Sequence, residues 1–295
     1  AVTATIHGKK RLSYDLKGDT VNIATRIASS TESGKIDISI MTYELVKDYF
    51  SCEYDGKIPV KYTGDMEVYR LKRLKRAFSK DRKQGIYPNS IFSTKYKLRQ
   101  FTDLQEMMLD KLEKELPDYL YYHSVKHTID VVNQAELIGY GEGVDDDAIL
   151  MLKTAALFHD SGHTIAYDDH EYYGTQLARQ ILPAYSYTEE EIKTINEIIM
   201  ATKLPPQPEN LLQKIMCDSD LDYLGRSDFI PVSNTLYREM KAQDKIDNIN
   251  QWNKLQIKFL SNHHFFTETA NRLREVNKQK QIERIKKLIV DPVED

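Results

Sequence analysis

A His–Asp pair that closes an apolar run constrains this sequence more than any other feature. The run reads LKTAALFHDSGHT and places His159 and Asp160 directly after a stretch of core-forming side chains. A carboxylate next to a hydrophobic core costs free energy unless a partner compensates its charge. A bound cation is the simplest such partner, so the pair predicts a metal site at the end of a buried helix.

Other potential ligands recur at helical spacing around this pair. His123 and His127 are four residues apart and therefore share one helix face. His163 lies one turn beyond His159, and His170 opens the next predicted helix. A later apolar segment carries three alternating aspartates, Asp218, Asp220 and Asp222. Nitrogen and carboxylate donors together suit Zn, Mn, Fe, Ni, Co or Mg, and composition does not choose among them.

Length and composition indicate a globular protein with few domains. The 295 residues allow one or two domains, and an apolar content of 41% suffices for a buried core. Cys52 and Cys217 lie far apart, which favours a reducing cytosol over a disulfide scaffold. No apolar run reaches the length of a membrane span. We expect a cytoplasmic location, while the absence of an initial Met leaves open an upstream anchor in a longer parent.

Charge is unevenly distributed along the chain. Lys and Arg exceed Asp and Glu by about two in residues 1–74 and by about seven in residues 75–100, whereas residues 101–295 carry about −13. An acidic main domain is not expected to take nucleic acid as its substrate. The basic stretch LKRLKRAFSKDRK is typical of a solvated linker, with binding to anionic lipid or nucleic acid as the alternative.

Residue patterning divides the chain into four parts and predicts an α+β fold class. Residues 1–74 predict a small α/β domain, in which Asp–Gly and Thr–Gly pairs form turns between two or three strands. Residues 75–96 are a basic linker that contains the breaker cluster GIYPNS. Residues 97–242 predict an all-α helical bundle, and residues 243–295 a helical C-terminal extension.

The helical part resembles the HD superfamily of metal-dependent phosphohydrolases over roughly residues 95–240. The family motif is a lone His, a His–Asp pair and a distant Asp. His127, His159–Asp160 and Asp220 match it, and SDL around Asp220 looks like the family's closing ADL. The resemblance implies that these residues bind one or two divalent metals, with Asp160 bridging two ions or binding the only one.

The segment YYHSVKH also resembles the cyclic-nucleotide phosphodiesterase branch. His123 matches the general acid of that branch, which protonates the leaving oxygen, and His163 and His170 match residues near a second metal. The resemblance implies hydrolysis of a phosphoester by metal-activated water. One departure is that EIIMATKLPPQPEN has no His where some dinuclear members carry one, and Thr202 stands nearby.

Residues 1–74 resemble the C-terminal part of a class III nucleotide cyclase catalytic domain, which has a ferredoxin-like fold. The match rests on YDLKGDTVNIATRIASSTESGKIDIS and on the VK pair that follows. By this resemblance, Asp15 reads the adenine amino group and Lys61 grips the triphosphate. Asn22 and Arg26 orient the ribose and stabilise the transition-state phosphate.

The cyclase family also needs two metal-binding aspartates and a purine-reading Lys, which lie upstream of the matching segment. We therefore expect this chain by itself not to convert ATP to cAMP. The resemblance implies that a longer parent would do so as a homodimer whose sites are shared between subunits.

Two functions stay open at this point. The first is an HD phosphohydrolase, fused behind a cyclase domain, that acts on a nucleotide, a cyclic nucleotide or another phosphoester. The second is a regulatory module that binds metal or nucleotide without turnover and signals to the cyclase through residues 75–100. The ligand set favours the first function.

Overall fold

The computed structural model of the chain describes residues 3–7, 13–60, 64–81 and 83–289. Side chains are described from Lys17 onward. The chain divides into two compact units, Ala1–Ser93 and Thr94–Asp295. The first unit combines strands and helices and the second is helical, which confirms the predicted α+β class. Within the ranges given, no helix is both long and apolar enough to cross a lipid bilayer.

The first unit holds two antiparallel sheets and two helices. In chain order these elements are β1 (Thr3–His7), β2 (Ser13–Lys17), α1 (Asp19–Ser30), β3 (Ile36–Ser39), α2 (Ile40–Val46), β4 (Phe50–Val60) and β5 (Gly64–Leu74). The smaller sheet pairs β1 with β2, and the larger sheet has the order β3–β5–β4. Ile27 of α1 and Val68 of β5 are buried within this unit.

Strand β4 shows that the turn predicted at Asp55–Gly56 is wrong. The strand continues through both residues, and its ladder with β5 shifts register between Tyr54 and Gly56. Gly56 has a φ of 108°, a backbone conformation that glycine adopts without a steric penalty. Asp55, the extra residue on β4, therefore forms a bulge. The residues on either side of it stay paired with β5.

The second unit is a bundle of helices joined by short loops and 3-10 turns. The helices are α3 (Ser90–Glu115, which begins in the first unit), α4 (Val125–Gly141), α5 (Asp146–Phe158), α6 (His170–Ile181), α7 (Glu189–Met200), α8 (Leu211–Asp220), α9 (Phe229–Ala242), α10 (Ile249–Asn262) and α11 (Glu268–Lys286). Helices α10 and α11, predicted as a C-terminal extension, belong to the same compact unit as α4 to α9.

Helix α5 forms the centre of the bundle and packs against α4, α7 and α8. Asp145 caps its N-terminus by accepting a hydrogen bond from the Ala148 N–H at 2.9 Å. Nearly every following side chain is buried, from Ile149 to Phe158. A helix that is apolar on all sides has to be surrounded by other elements. Its C-terminal end, with His159 and Asp160, therefore lies inside the protein.

Two of the three alternating aspartates bind neighbouring segments. Asp218 is fully buried and accepts hydrogen bonds from the N–H groups of Phe266 (2.9 Å) and Thr267 (2.8 Å) and from the Thr267 hydroxyl (2.7 Å). Asp222 accepts a hydrogen bond from Nε of Arg274 at 2.6 Å. These contacts tie the end of α8 to the start of α11.

Replacing Asp218 with Ala should destabilise the second unit by about 2–4 kcal/mol, because two N–H groups and a hydroxyl lose their buried acceptor. Urea unfolding of this variant and of the unmodified chain would measure the change in the free energy of unfolding. Asp110→Ala is the control, since it removes only a surface pair with Lys114 and should cost less than about 1 kcal/mol. Equal losses would contradict an anchoring role for Asp218.

Candidate metal centre

Three helices bring four of the predicted ligands to one point. His127 comes from α4, His159 and Asp160 follow α5, and Asp220 is the last residue of α8. Nε2 of His127 lies 3.1 Å from Oδ1 of Asp220 and 3.4 Å from Nε2 of His159. Ligand atoms of His127, His159 and Asp220 all lie within 4.8 Å of one another. Donors this close together can surround a single cation.

A backbone hydrogen bond fixes the orientation of His159. Its Nδ1 lies 2.8 Å from the carbonyl oxygen of Ala156, so we assign a proton on Nδ1 that is donated to this oxygen. The other ring nitrogen, Nε2, then faces the carboxylates and is the atom available to a metal.

The carboxylates and imidazoles shift one another's pKa. Burial alone would lower the pKa of His159, but Asp160 and Asp220 raise it well above its usual range. Burial would raise the pKa of Asp160, but the neighbouring His159 and His123 hold it well below its usual range. Asp220 is likewise buried, yet His127 and His159 lower its pKa. Both carboxyl groups are therefore ionised at neutral pH, as metal binding requires.

A second donor group contains Asp160, whose Oδ2 also lies 3.1 Å from Nε2 of His159 and 3.3 Å from Nε2 of His127 in the first group. Ligand atoms of His123, Asp160 and His163 lie within 4.8 Å of one another. Nε2 of His170 lies 3.5 Å from Oδ1 of Asp160, and the His170 ring stacks on His163 with centroids 3.9 Å apart. The structure thus brings together every site residue predicted in the helical part of the chain.

Buried donors without hydrogen-bond partners fit a metal at this place. In the part of the chain that the structure describes, Oδ2 of Asp160 and both ring nitrogens of His163 have no such partner. Burial lowers the pKa of His163 to about 3, so the ring is neutral and offers a lone pair. Unsatisfied buried atoms cost free energy, which a bound divalent cation would offset.

Glu239 on α9 is a site residue that the sequence did not reveal. Its carboxylate accepts hydrogen bonds from the N–H groups of Tyr122 (2.9 Å) and His123 (3.2 Å), and lies 2.5 Å from Nδ1 of His123. The Tyr167 hydroxyl donates to it at 3.4 Å. The side chain of Glu239 is completely buried. The sequence signal that could have indicated this burial is the position of the acidic residue between Leu236 and Met240 of an amphipathic helix.

The predicted nucleotide site of the first unit is described only in part. Asn22 and Arg26 lie one turn apart on α1 with exposed side chains, and Nε of Arg26 donates to the carbonyl oxygen of Pro59 at 3.2 Å. Asp15 lies on β2, where side chains are not described, and Lys61 lies outside the described residues. The roles of these four residues stay predictions.

A cavity of about 570 Å³ opens beside the metal centre. Its metal end is lined by His123, Asp160, His163, His170 and Asp220. A cavity of this size, with a few converging polar groups, is typical of small-molecule sites. A ligand in it can touch Asp160 and His123 together.

Comparisons with known families match two separate segments of the chain. Residues 1–73 match the family model of the adenylate and guanylate cyclase catalytic domain, and residues 124–222 match that of the HD domain. The resemblances inferred from the sequence are therefore confirmed: the chain joins a segment of a nucleotide cyclase domain to an HD domain.

Two curated cyclases each match a quarter to a third of the chain. A membrane guanylyl cyclase of Dictyostelium discoideum is 41% identical over 75 residues, which are 25% of this chain and 5% of that protein. An adenylate cyclase of Mycobacterium bovis is 35% identical over 89 residues, which are 30% of this chain and 20% of that protein. The chain thus spans a twentieth and a fifth of the length of these two relatives.

Among solved structures, Bacillus subtilis YpgQ in complex with ADP is 18% identical, with a TM-score of 0.48 over 65% of this chain and 95% of its own. An HD superfamily hydrolase from an uncultured Thermotogales bacterium is 21% identical, with a TM-score of 0.41 over 62% of this chain and 90% of its own.

Asp160→Asn should weaken Mn²⁺ binding by at least about a hundred-fold, because the carboxylate shared by both donor groups is lost. His163→Ala should affect only one of two ions. Calorimetric titration and elemental analysis would measure affinity and stoichiometry. Asp110→Asn on the surface of α3 should bind as the unmodified chain does. Unchanged binding by Asp160→Asn would rule out the proposed ligand set.

Proposed function

We propose that the second unit is a metal-dependent phosphohydrolase that acts on a phosphoester of the nucleotide or cyclic-nucleotide class. The observation that supports this most is the Asp160 carboxylate, which lies beside a cavity and within 3.5 Å of the ring nitrogens of His127, His159 and His170, with His123 and His163 close by. The cyclase segment in the same chain favours a nucleotide-related substrate by association.

In this proposal the ligands divide between two ions. His127, His159, Asp160 and Asp220 would hold the first, and Asp160 with His163 and His170 would hold the second. The donor set suits Mn, Fe, Ni, Co, Zn or Mg. When bound, such cations polarise phosphoryl oxygens and lower the pKa of a coordinated water.

The proposed role of His123 is to protonate the leaving oxygen as the P–O bond breaks. The carboxylate of Glu239 lies against Nδ1 and the backbone N–H of His123, so ring and main chain are both held. A proton on Nδ1 donated to Glu239 directs Nε2 at the cavity. In this proposal Glu239 is a positioning residue that keeps the His123 imidazole directed at the leaving oxygen.

His123→Ala should lower kcat by about 10²–10³-fold on a cyclic nucleotide, because an alkoxide leaving group needs the proton. On p-nitrophenyl phosphate the loss should stay below about ten-fold, because the phenolate departs unaided. Glu239→Gln should lower kcat on both substrates, by a smaller factor than His123→Ala does. Steady-state kinetics in Mn²⁺, with elemental analysis of the bound metal, would measure these effects.

His264→Ala is the matched control for this series, because His264 is an exposed histidine that does not line the cavity. Its ring makes an edge-to-face contact with Phe266. It should behave as the unmodified chain does. Equal losses on both substrates after His123→Ala, or loss of bound metal in that variant, would contradict the role of an acid and indicate a ligand instead.

A regulatory module is the second candidate. Thr202 lines the cavity near the position where some dinuclear enzymes carry a further His, and its hydroxyl donates to the Ile199 carbonyl at 2.8 Å. A weaker second metal site would give binding with little turnover. Saturable binding of nucleotides in Mn²⁺, with no phosphate released from any phosphoester tested, would favour this function over hydrolysis.

For the first unit, we propose that it forms cAMP from ATP only as part of a longer, homodimeric parent, with Asp15, Asn22, Arg26 and Lys61 in its nucleotide site. The present chain should therefore produce no cAMP above background when incubated with ATP and Mn²⁺. Robust cAMP formation in an immunoassay would overturn this proposal.

A further inference from the structure

The cavity beside the metal centre is lined by two chemically different groups of side chains. Besides the donor groups, it is lined by large apolar side chains of α9 and α10, which we call its apolar end: Phe229, Leu236, Met240, Trp252, Leu255 and Phe259. Helices α9 and α10 lie beyond residues 124–222, the segment that matches the HD domain. The apolar end is therefore built by this chain's own C-terminal helices.

Helical spacing makes this end a continuous wall. Leu236 and Met240 are one turn apart on α9, and Trp252, Leu255 and Phe259 follow one face of α10. Trp252 is buried, whereas Leu255 keeps 43% of its surface exposed at the rim. A half-exposed leucine next to buried aromatic groups offers surface that an apolar ligand would cover.

The polar atoms of this wall are already hydrogen-bonded to one another. Nε1 of Trp252 donates to the hydroxyl of Ser233 at 3.3 Å, and that hydroxyl donates to the amide oxygen of Gln256. The wall therefore selects for shape and apolar surface and has little capacity to read the hydrogen-bonding edge of a nucleobase.

The charges around the cavity disfavour a chain of phosphates. Lys203 is the one Lys or Arg among the described lining residues, and its ammonium lies 2.6 Å from Asp169. Asp168 and Glu171 also line the cavity. Phosphate groups beyond the one held at the metal end would be repelled by these carboxylates, and Lys203 is the one lining Lys or Arg that could offset the repulsion.

We propose that this cavity takes a phosphoester with a single phosphoryl group joined to an uncharged aromatic or apolar group, which lies between α9 and α10, and that it excludes polyphosphates. The inference rests on the proposed function of the metal centre and adds the substrate class. Aromatic groups of similar size, including different nucleobases, should bind with affinities within about three-fold of one another, because the wall offers shape alone.

Non-hydrolysable phosphonates test the inference without relying on turnover. The full chain, with Mn²⁺ in excess over all ligands, would be titrated calorimetrically with methylphosphonate, phenylphosphonate and methylenediphosphonate. Phenylphosphonate should bind at least about ten-fold tighter than either of the others. It should also change the fluorescence of Trp252, which is the only tryptophan in the sequence, whereas methylphosphonate should not.

Two leucine variants separate the cavity wall from a general surface effect. Leu255→Asp should weaken the binding of phenylphosphonate by about ten-fold, because the new charge enters only the apolar end. The affinity for methylphosphonate should stay within about two-fold of that of the unmodified chain. Leu273→Asp is the control: Leu273 lies on α11 with 38% of its surface exposed and does not line the cavity. It should leave both affinities unchanged.

The outcomes distinguish this inference from the proposed function. If neither monophosphonate binds in the presence of Mn²⁺, the proposed function and the proposed substrate class are both wrong, because the metal end then binds no phosphoryl group. If methyl- and phenylphosphonate bind equally, or if methylenediphosphonate binds tightest, the proposed function stands and the substrate class is wrong. Identical effects of Leu255→Asp and Leu273→Asp would also overturn the assignment of the apolar end.

Discussion

The buried carboxylate of Asp160 is the constraint on which the second unit depends. Its oxygens lie 3.1 Å, 3.3 Å and 3.5 Å from Nε2 of His159, His127 and His170. A carboxylate at the end of a fully buried helix is costly unless such groups, or a cation, surround it. The ends of α5 and α8 and the starts of α4 and α6 therefore have to meet at this point, and the bundle packs around them.

The C-terminal helices complete this arrangement. Glu239 of α9 holds the backbone and ring of His123, while Asp218 and Asp222 tie α8 to α11. Trp252 of α10 lines the cavity beside the donors. The residues that match the HD domain supply the candidate ligands, and the segment after them supplies Glu239, which holds His123, and part of the cavity wall.

Much of this could be predicted because the relevant signals are local. An apolar run followed by His159–Asp160, and a four-residue spacing between His123 and His127, depend only on helical geometry. Glu239 could not be predicted, because it meets His123 across 116 residues of sequence, and a glutamate on an amphipathic helix usually faces solvent. The turn predicted at Gly56 is wrong because the same residue pair suits a bulge when a long partner strand is present.

The sequence by itself determined the α/β character of the first part, the all-α character of the second and the types of ligand available, since each depends on composition and periodicity within short segments. Family resemblance favoured Asp220 among the three alternating aspartates. Only the tertiary structure shows why: Asp218 and Asp222 are engaged with Thr267 and Arg274, and Asp220 alone of the three joins the histidines. Which way each of these side chains points is decided by helices that cross at this place, and that crossing depends on packing between segments far apart in the chain.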